Sequence, residues 1–145
     1  MDHIVYLDAK AKEMEKLLDG SKIMIIRGAA GRKMPYGRVE AGDILYFINN
    51  NSEGLVKLKG EVSSVLNSEK MDKETSVNFV NEHQDKLQLS DKQISRWAGK
   101  RYLVLIELKN IEEIEPFAID KSNYGNMDDW LPVGDILNVR LPKEY

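Results

Sequence analysis

The hydrophobic residues of this chain fall mainly in short runs bounded by glycine, asparagine and aspartate, a pattern typical of strands rather than long helices. One such run, His3–Leu7, opens the chain. Strands are predicted at six further places: Lys22–Arg27, Ile44–Ile48, Leu55–Leu66 with a bend at Gly60, Tyr102–Ile106, Ile111–Phe117 and Asp135–Leu141. Tyr102–Ile106 is apolar on both faces, so we expect it at the centre of a sheet, with Asn110 turning the chain after it.

Three stretches carry apolar residues at helical spacing. The predicted helices are Ala9–Asp19, Asp72–Leu87 and a short segment that follows Ser90. Asp8 is a candidate N-cap for the first helix and Gly20 its C-terminal stop, whereas Ser90 and Gln93 have capping-box spacing. Because helices and strands do not alternate regularly, the pattern predicts an α+β fold, a small mixed β-barrel of about six strands with two to three peripheral helices.

The composition is that of one globular domain. The chain has 145 residues, 42% hydrophobic and 31% charged, so a single domain over residues 1–145 is expected. It contains no cysteine, which excludes disulfides, zinc-thiolate sites and a thiol nucleophile. No apolar run resembles a signal peptide or reaches membrane-spanning length, so we expect a cytoplasmic protein with no membrane partner.

Charge is distributed unevenly along the chain. The net charge of −3 argues against non-specific coating of nucleic acid. Five cations with no acid among them nevertheless lie between residues 22 and 38, at Lys22, Arg27, Arg32, Lys33 and Arg38. The stretch Gly28–Lys33, which leads into the basic segment Gly31–Arg38, GRKMPYGR, does not match a P-loop, because its spacing is short, Met34 replaces the required hydroxyl and Pro35 blocks the following helix. A small basic site on an acidic body is predicted.

The same segment carries a resemblance to a known family. Gly31-Arg-Lys33-Met-Pro-Tyr36-Gly-Arg38 resembles the G-x-K-x-x-E-x-R signature of ASCH domains, with Tyr36 in place of the glutamate. The order of elements over residues 4–117 also resembles ASCH domains and is similar to the related EVE domains. The resemblance implies a PUA-like β-barrel with a cleft that receives RNA or a modified nucleobase.

The resemblance and the residue chemistry together select seven candidate ligand contacts. The first choices are Arg27, Lys33, Tyr36 and Arg38, and the second choices are Asn49, Tyr124 and Trp130. Cations suit phosphates or base carbonyls, and aromatic rings suit flat bases. The alternative for the cations is that they are solvated or tie the loop to acids, and for Tyr124 and Trp130 that they pin a loop to the barrel.

Three functions remain open from the sequence. The main prediction is a binding module for RNA or a nucleobase-like small molecule. Some proteins resembling ASCH domains hydrolyse acylated cytidine with the signature lysine, here Lys33, beside a threonine; Tyr36 is a poor substitute for that hydroxyl. A protein-interaction adaptor is the third alternative. We expect no cofactor and no metal, since Asp128 and Asp129 have no histidine nearby, and the sequence leaves the oligomeric state open.

Overall fold

The structure, a computed structural model, describes residues 1–125 and 129–142. The strands in these residues are β1 (Asp2–Leu7), β2 (Met24–Ala29), β3 (Ile44–Asn49), β4 (Leu55–Asn67), β5 (Tyr102–Ala118) and β6 (Trp130–Gly134). The helices are α1 (Glu13–Leu18), α2 (Lys73–Glu82), α3 (Gln84–Leu87) and α4 (Asp91–Trp97), with a 3-10 turn at Ile136–Asn138. None of these helices is long and apolar enough to cross a membrane.

The six strands form one mixed sheet in the order β2-β5-β4-β3-β1-β6, which curls into a half-barrel. Strands β1 and β3 are parallel, and every other neighbouring pair is antiparallel. The predicted α+β class with six strands is confirmed, and the described residues contain four helices where two to three were predicted.

Alternation along the strands separates the inside of the half-barrel from its outside. The interior is filled by alternate side chains, among them Val5, Leu7, Ile25, Leu45, Phe47, Leu58, Val104 and Ile106. On the outside, the helices cover β2 and β5, where Val80, Leu87 and Trp97 pack on Met24, Ile26, Leu103 and Leu105. A second outer core joins β1 and β3 to β6 and the 3-10 turn. The sheet is therefore packed on both faces.

One long strand, β5, replaces the two predicted strands Tyr102–Ile106 and Ile111–Phe117 and the predicted turn at Asn110. Asn110 has a left-handed φ of 54° but does not end the strand, which continues to Ala118. The chain stays extended because β4 pairs with β5 on both sides of this point, with register shifts that absorb the irregularity. The predicted bend at Gly60 lies at one of these shifts, where an added Cβ would come within 2.6 Å of Ile111 Cδ1.

The first and the last of the predicted apolar segments have different outcomes. The opening run His3–Leu7 is a full strand, β1, which pairs with both β3 and β6. The predicted strand Asp135–Leu141 is wrong, because β6 comes earlier, at Trp130–Gly134. After it, Asp135 accepts a hydrogen bond from the backbone N–H of Leu137 and starts a 3-10 turn.

Helix boundaries shift where side chains bond to the backbone. Asp8 accepts a hydrogen bond from the Ala11 N–H as predicted, but this caps only a turn, and α1 begins at Glu13 after the left-handed Lys12. The predicted helix Asp72–Leu87 is divided into α2 and α3 at His83. The predicted capping box of α4 is confirmed by the reciprocal bonds between Ser90 and Gln93.

A buried histidine links β1 to two distant parts of the chain. His3 has no exposed surface; its Nε2 lies 2.9 Å from Asp43 Oδ2, and its Nδ1 accepts a hydrogen bond from Trp130 Nε1 at 3.1 Å. Burial alone would raise the pKa of Asp43, but bonds from the Glu40 N–H and from His3 outweigh it and hold that pKa below its usual value.

We expect His3→Ala to destabilise the fold by about 3 kcal/mol, because it removes one hydrogen bond from the buried Asp43 carboxylate and the acceptor of the buried Trp130 N–H. Urea denaturation followed by tryptophan fluorescence would measure the loss. His83→Ala is the matched control: His83 is only half-buried and its ring contacts the Phe79 carbonyl, so the cost should stay near 1 kcal/mol or below. Equal losses in the two variants would contradict this role of His3.

A candidate ligand-binding cleft

Arg27, near the end of β2, bridges the gap between the two edges of the curled sheet. Its side chain is on the interior face and the residue is 7% exposed. Nη2 donates to the Tyr6 carbonyl oxygen of β1 at 2.7 Å, and Nη1 donates to the Ile26 carbonyl oxygen at 2.7 Å. Nε lies 3.2 Å from a carboxylate oxygen of Asp129, the residue directly before β6. One guanidinium therefore connects β2 to both β1 and the start of β6.

Two indole rings flank this guanidinium. Its central carbon lies 5.7 Å from the ring centre of Trp130 and 5.9 Å from that of Trp97. Arg96 covers Trp97 from another direction, with its guanidinium carbon 4.3 Å from the ring centre and its Nη2 4.0 Å from Asp129. Cation–π contact and ion pairing thus hold both arginines in place.

Three neighbouring pockets share lining residues around Arg27 and Asp129, and together we call them the cleft. The central pocket, of about 110 Å³, is lined by Tyr6, Asp8, Glu13, Arg27, Asn50, Gln93, Arg96, Trp97 and Asp129. It shares Arg27, Arg96, Trp97 and Asp129 with a pocket on one side, and Tyr6, Asn50 and Asp129 with a pocket on the other. We call these side pockets the cationic pocket and the neutral pocket.

The cationic pocket has a volume of about 250 Å³ and is lined by four cations, Arg27, Lys33, Arg96 and Lys100, against one carboxylate, Asp129. Lys33 and Lys100 are exposed, and neither forms an ion pair with any residue that the structure describes. Gly28 lets the backbone pack closely here, since a Cβ would lie 2.6 Å from Leu103 Cδ2. The pocket therefore presents uncompensated positive charge.

The neutral pocket is larger, at about 510 Å³, which is within the usual range for ligand sites of roughly 300–1,000 Å³. Its walls combine apolar side chains with short uncharged polar ones: Tyr6, Ile48, Ile119, Asn49, Asn50 and Ser52. Lys121 lies over the Tyr6 ring at 5.3 Å, and the lining contains one cation, Lys121, and one carboxylate, Asp129. Such a lining suits a flat, uncharged group with polar edges.

A buried lysine lies beneath the central pocket. Lys22 is fully buried; its Nζ donates to the Leu87 carbonyl oxygen and lies 3.5 Å from the Glu13 carboxylate. Glu13 also accepts the Asp8 N–H at 2.9 Å and itself lines the pocket. Burial lowers the pKa of Lys22 from 10.5 to about 8, and the attraction of Glu13 offsets this only in part.

The structure brings three of the seven predicted contacts into the cleft. Arg27 lines the central and cationic pockets, Lys33 the cationic pocket, and Asn49 the neutral pocket. Trp130 lies behind Arg27, 3% exposed, with its N–H on His3. Arg27 lies over this ring, Trp130 is not part of the lining of these pockets, and its binding role stays a prediction.

The other three predicted contacts lie outside the lining of these pockets. The Tyr36 hydroxyl donates to the Ser68 carbonyl oxygen at 2.5 Å, and its ring meets Tyr102 edge-on, so it anchors the loop to the barrel. Arg38 is exposed. Tyr124 packs against the outer core beside β6. Binding roles for these residues stay predictions.

Of the acidic pair Asp128 and Asp129, the structure describes one residue. Asp129 is the partner of Arg27, whereas Asp128 lies outside the described residues. No cluster of histidine or acidic side chains suited to a metal ion occurs within residues 1–125 and 129–142.

Sequence reasoning missed Tyr6, Asn50, Arg96 and Lys100 as lining residues, and it missed the buried pair of Lys22 and Glu13. One signal for Lys22 was available. The spacing G-x-K-x-x-x-x-R also occurs at Gly20-Ser-Lys22-Ile-Met-Ile-Ile-Arg27, with Ile25 at the glutamate position. The last part of this earlier copy lies in β2, and its arginine, Arg27, lines the cleft. The arginine of the later copy, Arg38, does not line these pockets.

Comparison with solved structures places this architecture among ASCH domains. Two crystal structures of an ASCH protein from Zymomonas mobilis, one of them a point variant, match with TM-scores of 0.65 at 13% sequence identity. They cover 89% of this chain and 87% and 85% of theirs. A further variant of that protein matches with a TM-score of 0.64 at 14% identity. The chain therefore has the ASCH domain fold. No protein-family model matches the sequence, and no curated protein sequence matches it.

The buried lysine predicts an unusual dependence of stability on pH. Because the folded state holds the Lys22 proton more weakly than the unfolded state does, the unfolded chain binds more protons between pH 8 and pH 10.5, and stability rises with pH there. Relative to Lys22→Met, the wild type should gain about 2 kcal/mol of unfolding free energy from pH 8 to pH 10. Parallel urea denaturation curves for the two proteins measure this, and a constant difference between them would refute it.

Proposed function

We propose that this protein binds RNA, or a ligand that contains a nucleobase, in the cleft around Arg27 and Asp129. The observation that supports this most directly is the arrangement of the three pockets. A pocket with excess positive charge joins, through a small polar one, a pocket with aromatic and amide walls. A nucleotide combines both features, because its phosphate requires positive charge and its base requires aromatic and hydrogen-bonding walls.

The local charge explains how an acidic chain can attract a polyanion. The net charge is −3, but Lys33, Arg96 and Lys100 converge on one pocket, and Lys33 and Lys100 have no acid paired with them in the described structure. A polyanion that contacts these groups releases counterions, which favours association at low salt. The ASCH domain fold agrees with this proposal, since its PUA-like relatives are often linked to RNA binding.

Salt dependence tests the proposal. A fluorescein-labelled single-stranded RNA octamer of mixed sequence should bind more weakly as salt rises from 50 to 300 mM. Lys33→Ala and Lys100→Ala should each lower affinity about five- to tenfold at 50 mM salt and reduce the slope of log K against log salt by about 0.7, because each removes one phosphate contact from a single strand. Fluorescence polarisation measures both quantities.

Lys109→Ala is the matched control, since it removes the same charge on β5 outside the cleft, where Lys109 pairs with Glu61 at 3.2 Å. It should leave the affinity and the slope near the wild-type values. If the octamer fails to bind at 50 mM salt, or binds with no salt dependence, the RNA proposal is wrong and the adaptor alternative gains support.

A second candidate function, hydrolysis of an acylated nucleoside, draws support from one observation. The Glu13 carboxylate lines the central pocket and has behind it Lys22, whose pKa of about 8 suits proton transfer near neutral pH. Turnover of N4-acetylcytidine by the wild type, and its loss in Glu13→Gln, would establish this activity. If the wild type binds cytidine but does not turn over N4-acetylcytidine, the protein has the binding function without this hydrolytic activity.

A further inference from the structure

The order of chemistries along the cleft carries an inference about the ligand, which rests on the proposed function. The neutral pocket has aromatic and amide walls, the central pocket contains three carboxylates, and the cationic pocket contains four cations. We propose that the cleft holds one nucleotide unit lengthwise, with its base in the neutral pocket, its ribose in the central pocket and its phosphate in the cationic pocket.

The neutral pocket suits the base because it offers a ring face and uncharged polar groups together. Tyr6 supplies the ring, and the amides of Asn49 and Asn50 supply donors and acceptors. Asn50 uses its amide oxygen on the Ala9 N–H at 3.0 Å, which leaves its NH₂ for a ligand. Lys121 lies 5.3 Å from the centre of the Tyr6 ring, so a base that stacks on this face of the ring takes the place of this cation–π contact.

The central pocket suits ribose because its carboxylates accept hydrogen bonds from hydroxyl groups. Asp8, Glu13 and Asp129 all line it. Its volume of about 110 Å³ is the smallest of the three, and its three carboxylates outnumber its two cations, Arg27 and Arg96, so its charge favours a phosphate less than that of the cationic pocket. Carboxylates that bind ribose hydroxyls are a general device in nucleotide sites.

The cationic pocket suits the phosphate because its charges converge from separate parts of the chain. Lys33 comes from the loop after β2, Arg96 from α4 and Lys100 from the segment before β5. Arg96 is already held by stacking on Trp97, so its guanidinium loses little freedom when it binds an anion. The order base, ribose, phosphate thus follows the order of the pockets.

Calorimetric titration of nucleosides and of their 5′- and 3′-monophosphates at 50 mM salt tests this order. For at least one base, a monophosphate should bind about tenfold or more tightly than its nucleoside, and we call this ratio the phosphate gain. Lys100→Ala should reduce the phosphate gain about fivefold, whereas Lys109→Ala should keep it. The 2′-deoxy monophosphate should bind more weakly than the ribose form, because one hydroxyl donor is lost.

The other end of the cleft is tested by Tyr6→Leu and Asn50→Ala. Each should weaken the nucleoside and its monophosphate by similar factors and so leave the phosphate gain unchanged. Two variants are used because Tyr6 also packs on the outer core, and thermal melting identifies either one that fails to fold. The proposed order is wrong if Lys100→Ala keeps the full phosphate gain. It is also wrong if Tyr6→Leu and Asn50→Ala both fold and both bind the nucleoside as tightly as the wild type does.

Displacement of the labelled RNA octamer separates the two proposals. If the tightest monophosphate displaces the octamer, a nucleotide within RNA and a free nucleotide use the same cleft. If the octamer binds in a salt-dependent way but no monophosphate binds better than its nucleoside, the nucleotide order is wrong while RNA binding stands. If neither the octamer nor any nucleotide binds, both proposals fail.

Discussion

The contacts of one buried guanidinium hold the edges of this sheet together. Strands β2 and β6 lie at opposite ends of the strand order, and they do not pair with each other in the described structure. Arg27 spans the gap with bonds to two carbonyl oxygens, a carboxylate at 3.2 Å and two indole faces. Burying a charge costs several kcal/mol unless it is paired and hydrogen-bonded, and the two carbonyl bonds and the Asp129 carboxylate offset this cost, while Nε itself makes no hydrogen bond within the described residues.

The cleft is a consequence of this mode of closure. Pairing between β2 and β6 would have filled the gap with backbone hydrogen bonds and left no room for a ligand. A single side chain fills only its middle, so space remains on both sides of it, and the two side pockets occupy that space. Arg27 and Asp129 are therefore both structural and part of the lining, and the more exposed groups around them set the character of each pocket.

Much of the fold was predictable because hydrophobic alternation is a local signal. The strands at β2, β3 and β4, and the capping box of α4, follow from residues that are neighbours in sequence. Where prediction failed, a distant partner decided the outcome. Pairing with β4 keeps β5 extended through Asn110, and the contacts of Glu13 with Asp8 and Lys22 accompany a first helix shorter than its apolar spacing indicates.

The candidate site was harder to predict for the same reason. Arg27 and Lys33 lie in a conspicuous basic stretch, so composition alone draws attention to them. Arg96 and Lys100 lie among ordinary charged residues, and only the packing of α4 against β2 brings them to the same pocket. Tyr36, by contrast, has the right chemistry for a base, but its hydroxyl and ring are engaged by Ser68 and Tyr102.

The topology also determines when this cleft can exist during synthesis of the chain. Strand β1 is made before the other five strands, yet one of its two partners, β6, is made after all of them, and Asp129 emerges just before β6. Such distant pairings are slow to form, because a long loop must close before any contact rewards it. Until then the β1 edge that β6 will cover stays open, and Arg27 lacks its carboxylate partner. The cleft around Arg27 is thus completed only after β6 has been made and has paired with β1.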